Sequence, residues 1–181
     1  MHDKTPSSSS NLQRIGRLAI LASCVLIGAM WVYAFVFASR ESINRIYDEE
    51  WSARSQLRCE QAATERTALA NMNRIDEDDP QTLLVRADLV DRATDSLEQM
   101  LNDIEADPPS TEKGLALVPK WIADYRIYIE DRRDYANELR TGQLTTFSET
   151  LVEDVPVSER IGKFARENEM RACQAPFDLI L

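Results

Sequence analysis

Few side chains in this sequence combine a type and a spacing that could do chemistry. The single histidine is His2, in an N-terminal tail, and two of the three cysteines, Cys59 and Cys173, lie far along the chain. A histidine general base and the histidine-dependent triads are therefore not available beyond the tail. Two cysteines do not complete a zinc shell either. The sequence predicts a protein that is not an enzyme and that has no metal site and no cofactor.

Cys59 and Cys173 are better suited to a structural role. They are the only cysteines after the apolar segment described below, and one pair is what a single disulfide needs in an oxidising compartment. The bond would close a loop of about 115 residues, which the chain-entropy model values at about 5 kcal/mol. Two free thiols are the alternative, and they are expected if this part of the chain is cytoplasmic.

Arg132 is the most unusual charged residue, because it falls in the middle of an apolar helical stripe. An unpaired guanidinium there would be costly, so we expect it to meet a carboxylate. The candidates are Asp91, Asp95 and Asp131. A structural ion pair is one interpretation, and an anion-binding arginine in a cleft is the other.

Trp121, Tyr128 and Tyr135 form a row of aromatic side chains, seven residues apart, beside this stripe. Large aromatic side chains at helical spacing usually fill a core. They can also line a groove, and in that case Trp121, Tyr128 and Arg132 are the candidate ligand-binding residues.

Four consecutive acidic residues, Asp76 to Asp79, precede Pro80. Acidic side chains favour the positive end of a helix dipole, and proline is favoured at the first helical position, so the run predicts a helix start. A calcium loop needs a glycine at its sharp turn and a set spacing of ligands, and this run has neither. Cation binding by these residues is the alternative.

Residues Leu18 to Ser39 form a segment without charged residues, and this segment determines how the rest of the chain is arranged relative to a membrane. As a helix its 22 residues rise about 33 Å, enough for the roughly 30 Å hydrocarbon core of a bilayer. We predict a tail at residues 1–17, a transmembrane helix at 18–39 and a folded domain at 40–181. The sequence Val36-Phe37-Ala38 resembles a signal-peptidase site, but the apolar run exceeds the roughly 7 to 15 residues of a signal peptide.

Charge predicts which side of the membrane each part occupies. Three basic residues precede the span and two closely follow it, so the positive-inside rule favours a cytoplasmic N-terminus and an extracytoplasmic domain. These residues are Lys4, Arg14, Arg17, Arg40 and Arg45. The net charge is −10 and the tail carries +2, which leaves −12 on the remainder. So acidic a domain predicts no nucleic-acid partner.

Hydrophobic periodicity predicts that the domain is mainly α-helical. No proline or glycine interrupts residues 40–73, so the membrane helix is expected to continue into a first long helix. Apolar residues then alternate at spacings of four and three along two further stretches, which predicts two long helices paired as an antiparallel hairpin. Their stripes are Leu83, Ala87, Val90, Thr94, Leu97, Leu101 and Ile104, and Val118, Ile122, Tyr125, Ile129, Arg132, Ala136 and Leu139.

The C-terminal part departs from this pattern. Thr145 to Val157 is rich in threonine, valine and acidic residues, which predicts an extended arm over the helices. Ser158 is expected to cap a short helix that buries Ile161 and Phe164 and ends near Asn168. The predicted fold is thus a small helical bundle of three long helices and a short C-terminal helix.

Three segments of the domain carry a resemblance. They are LVDRATDSLEQM from Leu89 to Met100, WIADYRIYIEDRRDY from Trp121 to Tyr135, and RIGKFARENEMRAC ending at Cys173. Together they resemble single-pass membrane proteins of actinomycete-like bacteria, with a short cytoplasmic tail and an outer domain carrying two cysteines. The resemblance implies an anchored topology and a disulfide. It implies no activity, because none is assigned to that group.

We expect a membrane-anchored extracytoplasmic helical protein of the bacterial cell envelope that serves interaction or scaffolding. Its partners would be the lipid bilayer and an envelope protein or, weakly, a second copy. Ala19 with Ser23, and Ala34 with Ala38, have the spacing that lets two membrane helices approach closely. The alternative function is the ligand-binding sensor domain of a membrane receptor complex, which would need a signalling partner because the tail is short.

Overall fold

The computed structural model describes residues 9–37, 42–69 and 80–178, and these residues are mainly helical. They form five α-helices, namely α1 Ser9–Val36, α2 Glu49–Leu69, α3 Pro80–Glu105, α4 Glu112–Arg140 and α5 Val157–Glu167. A hairpin of β1 Leu151–Val152 and β2 Val155–Pro156 precedes α5, and a 3-10 turn follows it at Arg171–Cys173. The chain divides into two compact units, Met1–Glu41 and Ser42–Leu181.

Helix α1 has the length and composition of a membrane span. The 23 residues Arg14–Val36 include a window with a mean hydropathy of 2.2, and none of that window is buried in the structure. A helix of 23 residues rises about 35 Å, more than the roughly 30 Å that a bilayer core requires. Among the described residues this is the one helix long and apolar enough to cross a membrane. The predicted end of the span, Ser39, lies outside the described residues.

The prediction that the membrane helix continues into the next helix is wrong. Residues 42–48 are not helical, and Tyr47 has a φ of 55°, in the left-handed region. Asp48 then caps α2, because its Oδ1 accepts a hydrogen bond from the Trp51 amide at 3.1 Å. An aspartate cap followed by Glu49 and Glu50 starts a new helix without any proline or glycine before it.

Hydrogen bonds of two aspartates, Asp48 and Asp107, join the first half of α2 to the turn between α3 and α4. Asp48 Oδ2 accepts hydrogen bonds from the Ser110 amide at 2.6 Å and the Ser110 hydroxyl at 2.9 Å. Burial opposes the charged form of Asp48, but the hydrogen bonds offset it and lower the pKa of this carboxyl. Asp107 accepts from Arg54 at 2.9 Å and Arg58 at 2.8 Å, and these two arginines lower its pKa to about 2.

Helices α3 and α4 run antiparallel, as the two matching stripes predict. Glu105, the last residue of α3, pairs with Arg126 in the middle of α4. Asp88, near the start of α3, pairs at 3.1 Å with Arg140, the last residue of α4. Thr111 caps α4, with its Oγ1 accepting from an amide in the first turn at 3.1 Å.

The apolar side chains of this helix pair divide into two clusters separated by a polar layer. The larger cluster also takes in α2 and α5, and its members include Trp51, Leu97, Leu101, Trp121, Tyr125 and Ile161. The smaller cluster consists of Leu83, Ala87, Val90, Tyr135, Ala136 and Leu139. Thr94 and Arg132 lie between the two clusters along α3 and α4, and both residues are fully buried.

The predicted extended arm is present, and it crosses α4. Phe147 packs edge-on against Tyr128 and Tyr135, with ring centres 5.8 Å apart in both pairs. The predicted cap of α5 is wrong, because Ser158 lies inside the helix and its amide donates to Glu149 Oε2 at 2.8 Å. A carboxylate from the arm therefore satisfies the start of α5.

A disulfide joins Cys59 in α2 to Cys173 in the 3-10 turn, as the sequence predicts. The two Cα atoms lie 5.1 Å apart across a sequence separation of 114 residues. Both cysteines are fully buried, whereas Cys24 in α1 is a free and exposed cysteine. The bond attaches the end of the described chain to the middle of α2.

Replacing Cys59 and Cys173 together by alanine is expected to lower the free energy of unfolding by about 3 to 5 kcal/mol, because the bond closes a long loop. Urea unfolding in detergent, followed by near-ultraviolet circular dichroism, measures the change. Cys24→Ala, which removes the free cysteine, is the matched control and should leave the midpoint unchanged. Equal stability of the double variant and the control would contradict a structural role for the bond.

The pKa of Asp107 predicts a loss of stability in acid. Its folded-state pKa, about 2, lies below the unfolded value of about 3.9, so Asp107 stabilises the fold above about pH 4 and loses this contribution as the pH falls towards about 2. Asp107→Asn is expected to lower the urea midpoint at neutral pH and to flatten its pH dependence in that window. Asp103→Asn, which removes an exposed carboxylate bonded to Gln99, is the control. Parallel pH profiles for wild type and Asp107→Asn would show the expectation to be wrong.

Candidate functional site

The three predicted ligand-binding residues lie in two separate places. Trp121, Tyr128 and Arg132 all belong to α4, and their exposed fractions are 2%, 3% and 0%. Tyr128 and Arg132 lie together, with the guanidinium carbon 5.8 Å from the centre of the tyrosine ring. Trp121 stacks instead on Phe164 of α5, with ring centres 5.3 Å apart. The aromatic row therefore fills the core, and only the Arg132 end remains as a candidate site.

The guanidinium of Arg132 has polar partners at all three of its nitrogens. Nε donates to Thr94 Oγ1 at 2.9 Å, and the threonine hydroxyl donates in turn to the Val90 carbonyl at 2.7 Å. Nη1 donates to Asp178 Oδ1 at 2.6 Å, and Nη2 donates to Oδ2 of the same carboxylate at 3.4 Å. Arg132 is thus a buried cation in a charge-assisted ion pair.

The carboxylate that meets Arg132 is none of the three that the sequence suggested. Those three, Asp91, Asp95 and Asp131, accept hydrogen bonds from Arg133, Arg133 and Thr150, respectively. The nearby aspartates serve partners outside the stripe, whereas Asp178 arrives from 46 residues further along the chain. Helical spacing cannot predict a contact between residues so far apart in the sequence. The feature that could have indicated this contact is the position of Asp178, the one acidic residue within the apolar C-terminal run.

Arg66 in α2 is a member of this site that the sequence analysis missed. Its Nε lies 3.5 Å from Asp178 Oδ2, and its side chain is only 8% exposed. Its Nη1 is buried without a hydrogen-bond partner in the described part of the chain. Burial and the nearby guanidinium of Arg132 lower the pKa of Arg66, although Asp178 opposes this shift. The available signal was its spacing of seven residues from Cys59, which places both on one face of a helix.

Residues 173–178, named here the C-terminal segment, lie along the face of α4 that leads to the site. The Tyr125 hydroxyl donates to the Cys173 carbonyl at 3.0 Å, and the Tyr128 hydroxyl donates to the Pro176 carbonyl at 2.7 Å. Burial raises the pKa of both tyrosines, so both remain protonated donors at neutral pH. This face therefore binds the main chain of the C-terminal segment and brings the Asp178 carboxylate to the Arg132 guanidinium.

A separate cleft of about 330 Å³ opens beside Trp121. Its lining includes Phe164 and the basic side chains of Lys120, Arg160 and Lys163. The volume is at the lower end of the range for small-molecule sites. Trp121 offers a ligand little of its ring, because the residue is almost fully buried. Asp124 and Glu159 also line the cleft, and Asp124 pairs with Arg160 at 3.1 Å. The cleft is thus a surface of mixed charge rather than the predicted aromatic groove.

Metal binding has no geometric support in the part of the chain that the structure describes. No group of three or more histidine, cysteine or acidic side chains is placed there to hold an ion. The acidic run Asp76 to Asp79, for which cation binding was the alternative, lies outside the described residues.

Replacing Thr94 by valine is expected to lower the free energy of unfolding by about 1 to 3 kcal/mol, because the buried Arg132 Nε loses its acceptor. Thr67→Val is the matched control, since the Thr67 hydroxyl makes the same type of bond to a carbonyl four residues earlier but lies on an exposed face. Urea unfolding of the two variants gives the comparison. Equal effects would mean that the hydrogen bond from Arg132 to Thr94 adds nothing to stability.

Comparison with known proteins gives this site no precedent. No protein-family model, no curated protein and no solved structure matches the chain. The resemblance carried by the three segments that begin at Leu89, Trp121 and Arg160 stays a prediction.

Proposed function

We propose that this chain is a membrane-anchored extracytoplasmic interaction or scaffold protein of a bacterial cell envelope. The observation that carries the proposal is the presence, in one chain, of a 23-residue apolar helix and a helical unit closed by a buried disulfide. A helix so apolar, with no buried residue in its most apolar window, is suited to lipid, where its backbone is satisfied internally. Disulfides persist in oxidising compartments and are rare in the cytoplasm.

The proposed orientation places the N-terminus in the cytoplasm and the Ser42–Leu181 unit outside it. Three basic residues before the span against two closely after it support this orientation. The disulfide supports it independently, because it requires an oxidising environment for the helical unit and says nothing about charge. Both the flanking charges and the disulfide fit a single-pass anchor with this orientation.

The helical unit is proposed to be a small bundle that presents a rigid acidic surface. Helices α2 and α4 both pack against α3, and α5 packs against α4. Many of its surface arginines are paired with carboxylates, for example Arg133 with Asp91 at 2.9 Å and Arg160 with Asp124 at 3.1 Å. A rigid unit with a net charge near −12 suits a protein partner and repels nucleic acid. We assign it no catalytic role, and a weak homodimer through α1 is the other contact that fits.

Ligand sensing is the second candidate function, and one observation favours it. Arg66 and Arg132 converge on a single carboxylate, and Arg66 Nη1 has no acceptor. Buried guanidinium groups with spare donors are suited to binding anions.

The orientation is tested by labelling intact cells with a membrane-impermeant maleimide. In a Cys24→Ala background, Gln143→Cys places a thiol in an exposed loop of the helical unit, and Ser8→Cys places one in the N-terminal tail. We expect Gln143→Cys to react in intact cells and Ser8→Cys to react only after lysis. The opposite pattern would place the helical unit in the cytoplasm and remove the basis of the proposal.

The interaction role is tested by chemical crosslinking of the full chain in membranes. We expect a crosslinked complex of fixed stoichiometry, which disappears when Cys59 and Cys173 are both replaced by alanine and the unit loses its fold. The Cys24→Ala variant should retain the complex. A full chain that is folded but remains an uncrosslinked monomer would contradict the scaffold role.

A further inference from the structure

The buried charges around Asp178 do not balance. Arg132 has a fully buried side chain, the Arg66 side chain is 8% exposed, and both carry a positive charge. Asp178 is the one carboxylate of the described residues that pairs with either of them. The nearby Tyr125 and Tyr128 are kept neutral by burial. Among the described residues, a net positive charge therefore remains in a place where water has little access.

Hydrogen bonding at the site is also incomplete. A guanidinium has five N–H donors in a planar fork. Asp178 reaches both terminal nitrogens of Arg132, but it lies 3.5 Å from Arg66 Nε and leaves Arg66 Nη1 without a partner. A buried donor without an acceptor is destabilising. The two arginines can thus accommodate more negative charge and more acceptor atoms than one carboxylate supplies.

Asp178 is held in this site by a segment that can leave it. Its side chain is 32% exposed, and the preceding Phe177 is 78% exposed. Within the described residues, the main chain from Ala175 to Asp178 makes one hydrogen bond. In that bond the Pro176 carbonyl accepts from the Tyr128 hydroxyl. Cys173, in contrast, is fixed to α2 by the disulfide. Gln174 is held as well, because its carbonyl accepts from the Tyr125 hydroxyl at 3.1 Å and its side chain accepts from Arg166 at 3.0 Å, and Ala175 is buried. Movement of Asp178 therefore requires only residues 176–178 to rearrange.

We propose that Arg66 and Arg132 form a binding site for a phosphate or sulfate group, and that Asp178 occupies this site as an internal substitute that the ligand displaces. A tetrahedral oxyanion directs oxygens towards both guanidinia, whereas the Asp178 carboxylate serves mainly one of them. A dianion also matches the two buried positive charges. The Thr94 hydroxyl keeps Arg132 Nε occupied in either state, so the fork that faces the ligand stays oriented.

This inference deepens the sensing function and does not depend on the scaffold role. Displacement of Asp178 would free residues 176–178 while the disulfide keeps the rest of the helical unit closed. Because the bound carboxylate is tethered, it competes with a free anion at an effective concentration of the order of millimolar. The wild-type chain should therefore bind phosphate weakly, and removal of the carboxylate should reveal the intrinsic affinity.

Asp178→Asn in the full chain, in detergent, tests the proposal. Thermal unfolding is followed while inorganic phosphate, glycerol phosphate or acetate replaces chloride at constant ionic strength. We expect phosphate to stabilise the variant saturably, with an apparent Kd at least about tenfold lower than in the wild type. Adding Arg66→Gln to Asp178→Asn should abolish the effect. A response to glycerol phosphate that matches or exceeds that to inorganic phosphate assigns the site to phosphate esters, and a weaker response assigns it to the free ion.

Asp107→Asn is the matched control, because Asp107 is also held by two arginines, Arg54 and Arg58, but these are exposed or half-buried. It should show no gain in phosphate response.

Chymotrypsin cleavage after Phe177 in the wild-type chain is the second measurement, in case Asp178→Asn fails to fold. Phosphate should speed this cleavage, because displacement of Asp178 frees the main chain on both sides of it. An equal response to acetate, an unchanged response in Asp178→Asn, or an unaltered cleavage rate in the wild type would overturn the proposal. None of these outcomes affects the labelling result for membrane orientation.

Discussion

The covalent bond between Cys59 and Cys173 is the constraint on which the rest of the helical unit depends. It fixes the start of the C-terminal segment against α2 and within reach of α4, where two buried tyrosine hydroxyls bind the main chain. The same placement brings Asp178 to the buried guanidinium of Arg132. Without the bond, the contacts of the C-terminal segment could form only at the entropic cost of closing a loop of 114 residues.

The polar layer formed by Thr94 and Arg132 has a different role, which is to specify how α3 and α4 are aligned. Apolar side chains above and below this layer are interchangeable to a degree, because hydrophobic contact has little directionality. A shift of one helix by a turn would separate the Arg132 Nε from the Thr94 hydroxyl and leave a buried donor without its acceptor. The layer therefore favours one register over its neighbours, at the cost of interrupting the apolar core.

The features of the fold that arise from local pattern and composition are predictable from the sequence. The apolar run, the paired stripes of α3 and α4, the extended arm and the disulfide all follow from spacing or residue counts. The break before α2 did not, because it depends on the Asp48 cap and a left-handed residue, Tyr47, rather than on proline or glycine.

The candidate site was predicted only in part, for a similar reason. Arg132 stood out because a charge in an apolar stripe is locally anomalous. Its partners Asp178 and Arg66 come from distant parts of the chain, and only the tertiary fold brings them together.

The proposed location and the fold are joined by the disulfide, because a helical unit on the oxidising side of a membrane would keep the bond between Cys59 and Cys173. Peptide mapping of chain taken from native membranes, with thiols blocked at the moment of lysis and no reductant added, measures the state of this bond. Trypsin should release the peptide from Cys59 to Arg66 covalently joined to the peptide that begins at Ala172. Recovery of both peptides separately, each with its cysteine alkylated, would contradict the proposed location.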